Sequence, residues 1–312
     1  MKKRRILIAS IAVVLAAAIV CTLFFVLREG SKGILYRVTG DGTTAYLLGS
    51  IHIGTSAMHP FGDTLEAAMA QADTFVFECD TVSDASLAQL AARQLLPEDT
   101  SLQSILGDEL YDDVAAAYKE LGLSTATLNT KQPWVAVNTL AVYSSAEEMG
   151  VQNVRKAIAL GVEDAVQAYA NKQGKPYAYL ETVDEVADTM ESFSDALTRY
   201  LLQDEIDVIL KRKTTADLAT VSQWPLWWRD GDADAFRDFY RMSMETEDAA
   251  LYAEYEDKLL TQRNTLMAAR LDALMQNGGT YFVTVGLLHL VSDFDSILTR
   301  LENMGYTIEA IP

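Results

Sequence analysis

Two histidines occur in the same short pattern near opposite ends of the chain. Residues 46–54 read YLLGSIHIG and residues 281–290 read YFVTVGLLHL, so each apolar run reaches a glycine and a histidine follows three residues later. The chain has only three histidines among its 312 residues. Because an imidazole can ligate a metal or move protons near neutral pH, His52 and His289 are candidates for one shared functional site. Either histidine taken alone also fits a hydrogen-bonded structural residue.

The glycines of the two patterns, Gly49 and Gly286, suggest where such a site would lie. A glycine at the end of a strand permits a sharp turn or the close approach of another group. In open α/β sheets, ligands bind at the carboxyl ends of the strands. We therefore predict that both Gly-x-x-His units lie at one edge of a sheet and aim their histidines into the same crevice.

Carboxylates also follow strand-like runs. A metal needs an anionic ligand and hydrolysis needs a base, and Glu78, near the end of TFVFECD, is the leading candidate for either role. Alternatively, Glu78 caps or solvates the end of the strand. Asp80 points to the same side if the strand continues. Glu181 ends the run PYAYLE in a similar way, although a carboxylate there also suits the start of the next helix.

The remaining candidates are an arginine, a third histidine and a tryptophan-rich segment. Arg263 lies in a helical pattern, where it would pair with an acidic residue one turn away or orient a substrate carboxylate or an oxyanion. His59 precedes Pro60 in a predicted loop, and we expect it at the surface. The segment 223–230, QWPLWWRD, fits the core, a membrane-facing surface or the wall of a peptide groove. The sequence contains no GxSxG, HExxH, Walker A or GxGxxG motif.

The elements that must position these residues are strands near both ends of the chain and helices between them. Asp-Gly at 41–42, between two apolar runs, predicts a β-hairpin. Most of the middle has helical periodicity, and residues 248–276 form one long helical pattern. We predict a single α/β (α+β) domain over residues 34–312, with a central sheet built from both chain ends and a large helical middle as a cap.

The N-terminus predicts a membrane segment. Residues 1–5 (MKKRR) are basic, and residues 6–27 are apolar without a charge. This run is long enough to cross a bilayer, and its basic flank predicts that the tail stays in the cytoplasm while the rest of the chain lies outside. We favour an uncleaved single-pass anchor in the cell membrane over a signal peptide, because no small-x-small cleavage site follows the run.

Charge and cysteine content exclude other classes of function. The chain carries 44 acidic against 25 basic residues, a net charge of −19, which argues against nucleic-acid partners. Of its two cysteines, Cys21 lies in the apolar run, so Cys79 has no partner in the rest of the chain. There is therefore no disulfide framework and no cysteine-based zinc site.

Five segments in a fixed order resemble the TraB/PrgY/GumN family, whose animal relatives are the Tiki proteins. YLLGSIHIG and the closing block from Phe282 resemble the two Gly-x-x-His motifs of the family. ADTFVFECD resembles its segment with a glutamate, here Glu78, and KPYAYLET resembles its Leu-Glu-Thr segment, which contains Glu181. LLTQRNTLMA is similar to its Arg-Asn helix, which gives Arg263 and Asn264.

This resemblance implies a membrane-anchored, extracytoplasmic, metal-dependent hydrolase that acts on peptides. It implies His52 and His289 as metal ligands, Glu78 as a ligand or general base, and Arg263 as a catalytic group. Glu181 and Asn264 would bind substrate. Two histidines with few carboxylates suit Mn, Co or Zn. The alternative is a non-enzymatic protein that binds or sequesters a peptide signal or a haem-like ligand in the same pocket.

Overall fold

The computed structural model describes residues 30–40, 42–212, 221–244, 248–292 and 295–312. The apolar run 6–27 and its basic flank, which the sequence predicts to be a membrane anchor, lie outside these ranges. Within the described residues, no helix combines the length and apolar character that a membrane span requires.

Six strands form one mixed sheet in the order β4-β3-β5-β2-β1-β6. The strands are β1 (Ile34–Gly40), β2 (Thr43–Ser50), β3 (Thr74–Phe77), β4 (Tyr177–Tyr179), β5 (Gly279–Gly286) and β6 (Thr307–Ile311). Strands β4, β3, β5 and β2 are parallel to one another, whereas β1 is antiparallel to both β2 and β6. Because β1 pairs with β6, the prediction of a sheet built from both chain ends is confirmed.

The hairpin between β1 and β2 is also as predicted. Gly40 pairs with Thr43 at the end of the antiparallel ladder. Gly42 has a φ of +80°, which suits glycine because it lacks a Cβ. Asp41, the other half of the predicted Asp-Gly turn, lies outside the described residues.

Apart from the short strand β4, the chain between β3 and β5 is mainly helical, as the periodicity predicts. The helices of the described ranges are α1 (Asp63–Gln71), α2 (Asp84–Arg93), α3 (Leu102–Leu106), α4 (Asp108–Glu120), α5 (Pro133–Glu148), α6 (Val154–Ala159), α7 (Val162–Gln173), α8 (Val183–Glu191), α9 (Asp195–Ile209), α10 (Trp224–Asp230), α11 (Ala233–Met244), α12 (Ala249–Glu256), α13 (Arg263–Met275), α14 (Leu288–Val291) and α15 (Ile297–Asn303). A π-helical turn, Asp257–Gln262, joins α12 to α13. The predicted long helix at 248–276 is therefore present but contains this irregular turn.

The apolar residues form two main clusters. The larger cluster packs on the sheet and includes fully buried Leu47, Phe75, Phe77 and Phe282. Each such side chain stabilises the fold by about 1.5–3 kcal/mol relative to an exposed position. A second cluster joins α3, α4, α5 and α9 without contributions from the strands. This helical cluster is the predicted cap, and the whole is a single α/β domain.

Strand β3 is shorter than the sequence pattern predicts. The run TFVFECD suggests a strand through Asp80, but β3 ends at Phe77. Oδ1 of Asp80 accepts hydrogen bonds from the backbone N–H groups of Val82 and Ser83 at 3.0 Å. Asp80 therefore shapes the turn that leads into α2. The prediction that Asp80 points to the same side as Glu78 required the strand to continue as far as Asp80, and β3 ends at Phe77.

Candidate functional site

Four neighbouring parallel strands deliver polar side chains to the same edge of the sheet. His52 follows β2 by two residues, Glu78 follows β3 directly, Glu181 follows β4 by two residues, and His289 follows β5 by three. Ser50 is in register with Gly286, and the N–H of Leu287 donates to the carbonyl of Ser50 at 2.9 Å. The two Gly-x-x-His units therefore lie side by side at the carboxyl edge of the sheet.

Both glycines of these units stand where another group approaches closely. A Cβ at position 49 would lie 2.4 Å from Cδ1 of Leu287 and 3.3 Å from its Cα. A Cβ at position 286 would lie 3.1 Å from Oε1 of Glu78, which accepts a hydrogen bond from the N–H of Gly286. The glycines thus bring the backbones of the two units together and admit the Glu78 carboxylate.

The guanidinium of Arg263 forms the centre of the site. Its Nε and Nη2 donate to the two carboxylate oxygens of Glu181 at 2.9 and 2.6 Å, and Nη2 also donates to Oε2 of Glu78 at 2.9 Å. Its Nη1 lies 3.2 Å from Nε2 of His289 and 3.4 Å from the carbonyl oxygen of Leu259. A guanidinium has five N–H donors, and these contacts occupy all of them.

His289 is held through both ring nitrogens. Because arginine has no acceptor, the contact with Nη1 of Arg263 requires that Nε2 of His289 carries the lone pair. The proton then lies on Nδ1, which is 2.6 Å from Oδ1 of Asn264. The amide group of Asn264 in turn donates to the carbonyl of Asp295 at 2.9 Å. These contacts fix the ring orientation and tautomer of a histidine that is only 4% exposed.

The charges of this cluster depend on one another. Burial opposes ionisation of Glu78, but the charge of Arg263 and smaller favourable contributions lower its pKa to about 2. Burial lowers the pKa of His289 to about 4, so its imidazole is neutral at neutral pH. Burial raises the pKa of Glu181, although the hydrogen bonds and charge of Arg263 oppose the rise. The cluster is thus a fixed ion-pair network around a neutral histidine.

The π-helical turn places Arg263 in this position. Arg263 is the first residue of α13, directly after the turn Asp257–Gln262. Within the turn, Leu259 and Leu260 line a cavity that His52 and His289 also line. Insertions of this kind in α-helices occur frequently at functional sites. Here the irregular turn places apolar cavity residues within four positions of the central arginine.

Glu163 is a site residue that the sequence reasoning did not identify. Its Oε2 lies 3.7 Å from Nδ1 of His52, and burial, together with the negative charge of Glu78, raises its pKa to about 7. The N–H of Val162 donates to the carbonyl of Ile51 at 3.1 Å and docks the start of α7 on the first histidine unit. No spacing in the sequence relates Glu163 to His52, so only this tertiary contact reveals the pair.

His52 and His289 line one cavity of about 310 Å³, together with Glu78 and Arg263. The imidazole of His52 lies at the mouth, since its side chain is 70% exposed, whereas His289 lies at the buried end. The rest of the lining is mainly apolar and aromatic, and it includes Trp224, Phe236, Phe239, Tyr240, Tyr255, Leu259, Leu260, Leu287 and Leu288. The cavity is of the size and character of small-molecule and peptide-side-chain sites.

The tryptophan-rich segment contributes to both the core and the cavity. Trp228 is fully buried, and its Nε1–H donates to the carbonyl of Gly49 at 2.8 Å. This bond ties α10 to the end of β2. Trp224, on the same helix, lines the cavity. Of the roles that the sequence allowed for this segment, the structure thus combines a core residue with a wall of the cavity.

Most of the chain matches one protein family. A model of the TraB/PrgY/gumN family matches residues 34–310. The chain belongs to this family. The matched region contains both Gly-x-x-His units and every residue of the polar cluster.

The curated relatives of this TraB/PrgY/gumN protein are themselves uncharacterized. It is 26% identical over 250 residues to the uncharacterized protein YbaP of Shigella flexneri, and 26% identical over 249 residues to YbaP of Escherichia coli strain K12. Each alignment covers 80% of this chain and 84% of the relative. No solved structure matches the chain significantly. The comparisons thus identify the family and name no reaction.

The other predicted residues of this family member lie in different places. Glu181 and Asn264 are buried behind the cavity, on Arg263 and His289 respectively, and neither lines it. Their roles in binding substrate stay predictions. His59 lies outside the cavity lining, with Nε2 at 2.9 Å from the carbonyl of Leu160.

The predicted metal does not fit this TraB/PrgY/gumN site as its residues are arranged. Nε2 of His289 and Oε2 of Glu78 both contact the guanidinium of Arg263, which is itself a cation. Among the residues that the structure describes, no group of three or more His, Cys, Asp or Glu side chains is placed to hold a metal ion. Binding of Mn, Co or Zn at His52, Glu78 and His289 stays a prediction.

Proposed function

We propose that this chain is a hydrolase of peptides, anchored in the cell membrane with its folded domain outside the cytoplasm. The observation that supports hydrolysis best is the pair of His52 and Glu163 at the mouth of an aromatic cavity. Nδ1 of His52 faces the carboxylate of Glu163 at 3.7 Å. A histidine base with a carboxylate beside its second nitrogen is the arrangement that many hydrolases use, and here the contact would have to shorten in the substrate complex to become a hydrogen bond.

In the proposed reaction His52 is the general base. Its Nε2 takes a proton from a water molecule as the water oxygen forms a bond to the scissile carbonyl carbon. The carbon–nitrogen bond then breaks, and His52 returns the proton to the leaving amine. Glu163 stabilises the imidazolium that forms between these steps.

The cluster around Arg263 contributes electrostatics to this proposal. The positive charge of its guanidinium borders the cavity and favours negative charge that develops on the carbonyl oxygen. Glu78 is less suited to act as the base, because its pKa of about 2 leaves it weakly basic. The five protein contacts of Arg263 make it a positioning residue for His289 and Glu78 in the unliganded site.

The proposed location rests on the N-terminal sequence. The uncharged run 6–27 and its basic flank predict one membrane span with the domain outside. The acidic net charge of −19 suits a domain that extends into solvent away from anionic headgroups.

The test uses the full chain solubilised in detergent and a panel of quenched fluorescent peptides. We expect cleavage by the wild type, and a reduction in kcat of about 100-fold or more in His52→Ala and Glu163→Gln, the usual contribution of acid–base catalysis. Glu66→Gln is the matched control, because it makes the same change at an exposed residue in the first turn of α1 and should change kcat by less than about threefold. Failure of the wild type to cleave any peptide, or full activity in both variants, would refute the proposal.

A metal measurement belongs to the same experiment. The metal content of the purified chain is determined by mass spectrometry, and cleavage is assayed after chelation and after addition of Mn, Co or Zn. Stoichiometric metal that is lost in both His52→Ala and His289→Ala would assign these histidines to a metal instead of assigning His52 to proton transfer.

The second candidate is a binding protein that performs no reaction. It is favoured because the polar groups of the cluster already have partners within the protein. Arg263 contacts Glu78 and His289, and Asn264 contacts His289. Such a protein would hold a peptide or a haem-like ligand in the aromatic cavity. Tight binding of a peptide with no cleavage under any metal condition would select this function.

A further inference from the structure

A second cavity adjoins the histidine cavity. It has a volume of about 220 Å³ and shares five lining residues with the first: Trp224, Phe239, Tyr240, Tyr255 and Leu288. Five shared side chains mean that the two spaces are neighbours along one wall. A ligand held at the histidines therefore has a second compartment directly beside it.

The lining that belongs to the second cavity alone comes from two helices, α9 and α12. Leu197, Tyr200, Leu201 and Asp204 lie on α9, and Leu251 and Tyr252 lie on α12. The rings of Tyr200 and Tyr252 meet edge to face, with centroids 6.0 Å apart and their hydroxyl oxygens 3.4 Å apart. Apart from Asp204, these walls are apolar or aromatic. They favour an uncharged apolar group, and the carboxylate of Asp204 disfavours an anionic one.

Tyr255 lies at the boundary and lines both cavities. Burial raises the pKa of its phenol to about 12, so the hydroxyl keeps its proton. Among the described residues this hydroxyl has no hydrogen-bond partner, although its ring contacts Phe193 with centroids 6.4 Å apart. A hydrogen-bond donor is thus available between two apolar compartments, which suits a ligand with a polar linkage between its parts.

We propose that the second cavity binds an apolar side chain, of the size of leucine or phenylalanine, from the peptide whose bond is held at His52. Tyr255 donates to a backbone carbonyl of that peptide between the two compartments. This assignment rests on the proposed function, since it takes the ligand of the first cavity to be a peptide. Helices α9 and α12 thereby set the side-chain specificity of a site whose polar residues lie at the edge of the sheet.

The experiment compares quenched fluorescent peptides that differ in one side chain, glycine or leucine, at each position near the central bond. The full chain in detergent is the enzyme, and the readout is the ratio of kcat/KM for the leucine and glycine peptides. We expect a ratio of about tenfold or more at one position, within the range for extra methylenes in an apolar pocket.

Leu251→Trp fills the second cavity and should lower that ratio to about one. The matched control is Ala253→Trp, an exposed site on the same helix, which should retain the wild-type ratio. Leu251→Ala enlarges the cavity and should shift the preference towards a phenylalanine peptide, so the proposal stays falsifiable if the tryptophan variant does not fold. Tyr255→Phe should lower kcat/KM about equally for all peptides that reach the second cavity.

Binding of the same peptides, measured by fluorescence anisotropy, separates the two proposals. A leucine preference in binding that Leu251→Trp abolishes, without any cleavage, supports the second cavity and refutes hydrolysis. Cleavage without a preference in the wild type, or with a preference that survives Leu251→Trp in a folded protein, overturns the second cavity alone. Absence of both binding and cleavage overturns both.

Discussion

Nη1 of Arg263 lies 3.2 Å from Nε2 of His289, and the next residue along the chain, Asn264, accepts from Nδ1 of the same ring at 2.6 Å. Two consecutive residues at the start of α13 thus hold both nitrogens of one imidazole. Because arginine only donates, the ring must be the neutral tautomer protonated at Nδ1. Arg263 and Asn264 together therefore fix the tautomer and the orientation of the His289 ring.

Replacing Asn264 by Asp should raise the pKa of His289 above its value of about 4. A carboxylate beside Nδ1–H favours the imidazolium, whereas an amide does not. The measurement is an NMR titration of the imidazole protons, which is tractable because the chain has only three histidines. Asn153→Asp, at the N-cap of α6, is the matched control. An unchanged titration of His289 in Asn264→Asp would contradict the assigned tautomer.

Replacing Arg263 by Met should lower the free energy of unfolding by about 3–5 kcal/mol, because it leaves the buried carboxylate of Glu181 without its partner. Arg93→Met is the comparison. Arg93 pairs with three carboxylates on α8, but these are partly exposed, and we expect a loss of about 1 kcal/mol or less. Urea unfolding of both variants provides the test, and similar small losses would show that Glu181 is not held by Arg263.

Trp228→Phe should destabilise the protein more than Trp224→Phe. Trp228 donates a buried hydrogen bond to the carbonyl of Gly49, and loss of such a bond costs about 1–3 kcal/mol. Nε1 of Trp224 is buried but has no partner among the described residues, so its replacement removes no bond. Denaturant midpoints of the two variants measure the difference. Equal losses of stability in the two variants would mean that the hydrogen bond to Gly49 contributes little beyond the effect of the smaller ring.

Glu185 should make the free energy of unfolding depend on pH in the acidic range. The side chain forms a two-point contact with Arg270 and completes the capping box with Thr182. The hydrogen bond from Arg270 is the largest cause that lowers the pKa of Glu185, to about 2 from 4.5. Since the folded pKa is depressed, the stabilisation is full above about pH 4.5 and disappears as the pH falls through about 2.

Glu185→Gln measures this contribution. Because the pair with Arg270 is about a third exposed on each side, we expect the variant to lose only about 1 kcal/mol at pH 7. The difference from wild type should shrink steadily between pH 4.5 and 3 in thermal or urea unfolding. Glu109→Gln, at an exposed position in the first turn of α4, is the control. A difference that stays constant over this range would show that Glu185 is not ionised in the folded contact.

Much of the site could be predicted from the sequence because it is built where strands end. Apolar runs followed by a polar residue identify His52, Glu78, Glu181 and His289, and parallel strands bring their carboxyl ends to one edge. The sequence pattern predicts the end of β3 incorrectly, and the reason is a local hydrogen-bonding contact. The run to Asp80 looks like strand, but the side chain of Asp80 bonds to the backbone of the following turn and ends the extended conformation.

The sequence by itself determined the α/β class, the sheet built from both chain ends and the two histidine units, because each follows from periodicity over neighbouring residues. Only the tertiary structure brought Glu163 to His52 and placed the aromatic residues of α11 and α12 over the sheet edge. It also decided that Arg263 directs its donors inward, to Glu78, Glu181 and His289. These contacts join residues up to 185 positions apart, and no local pattern encodes which distant side chains will meet.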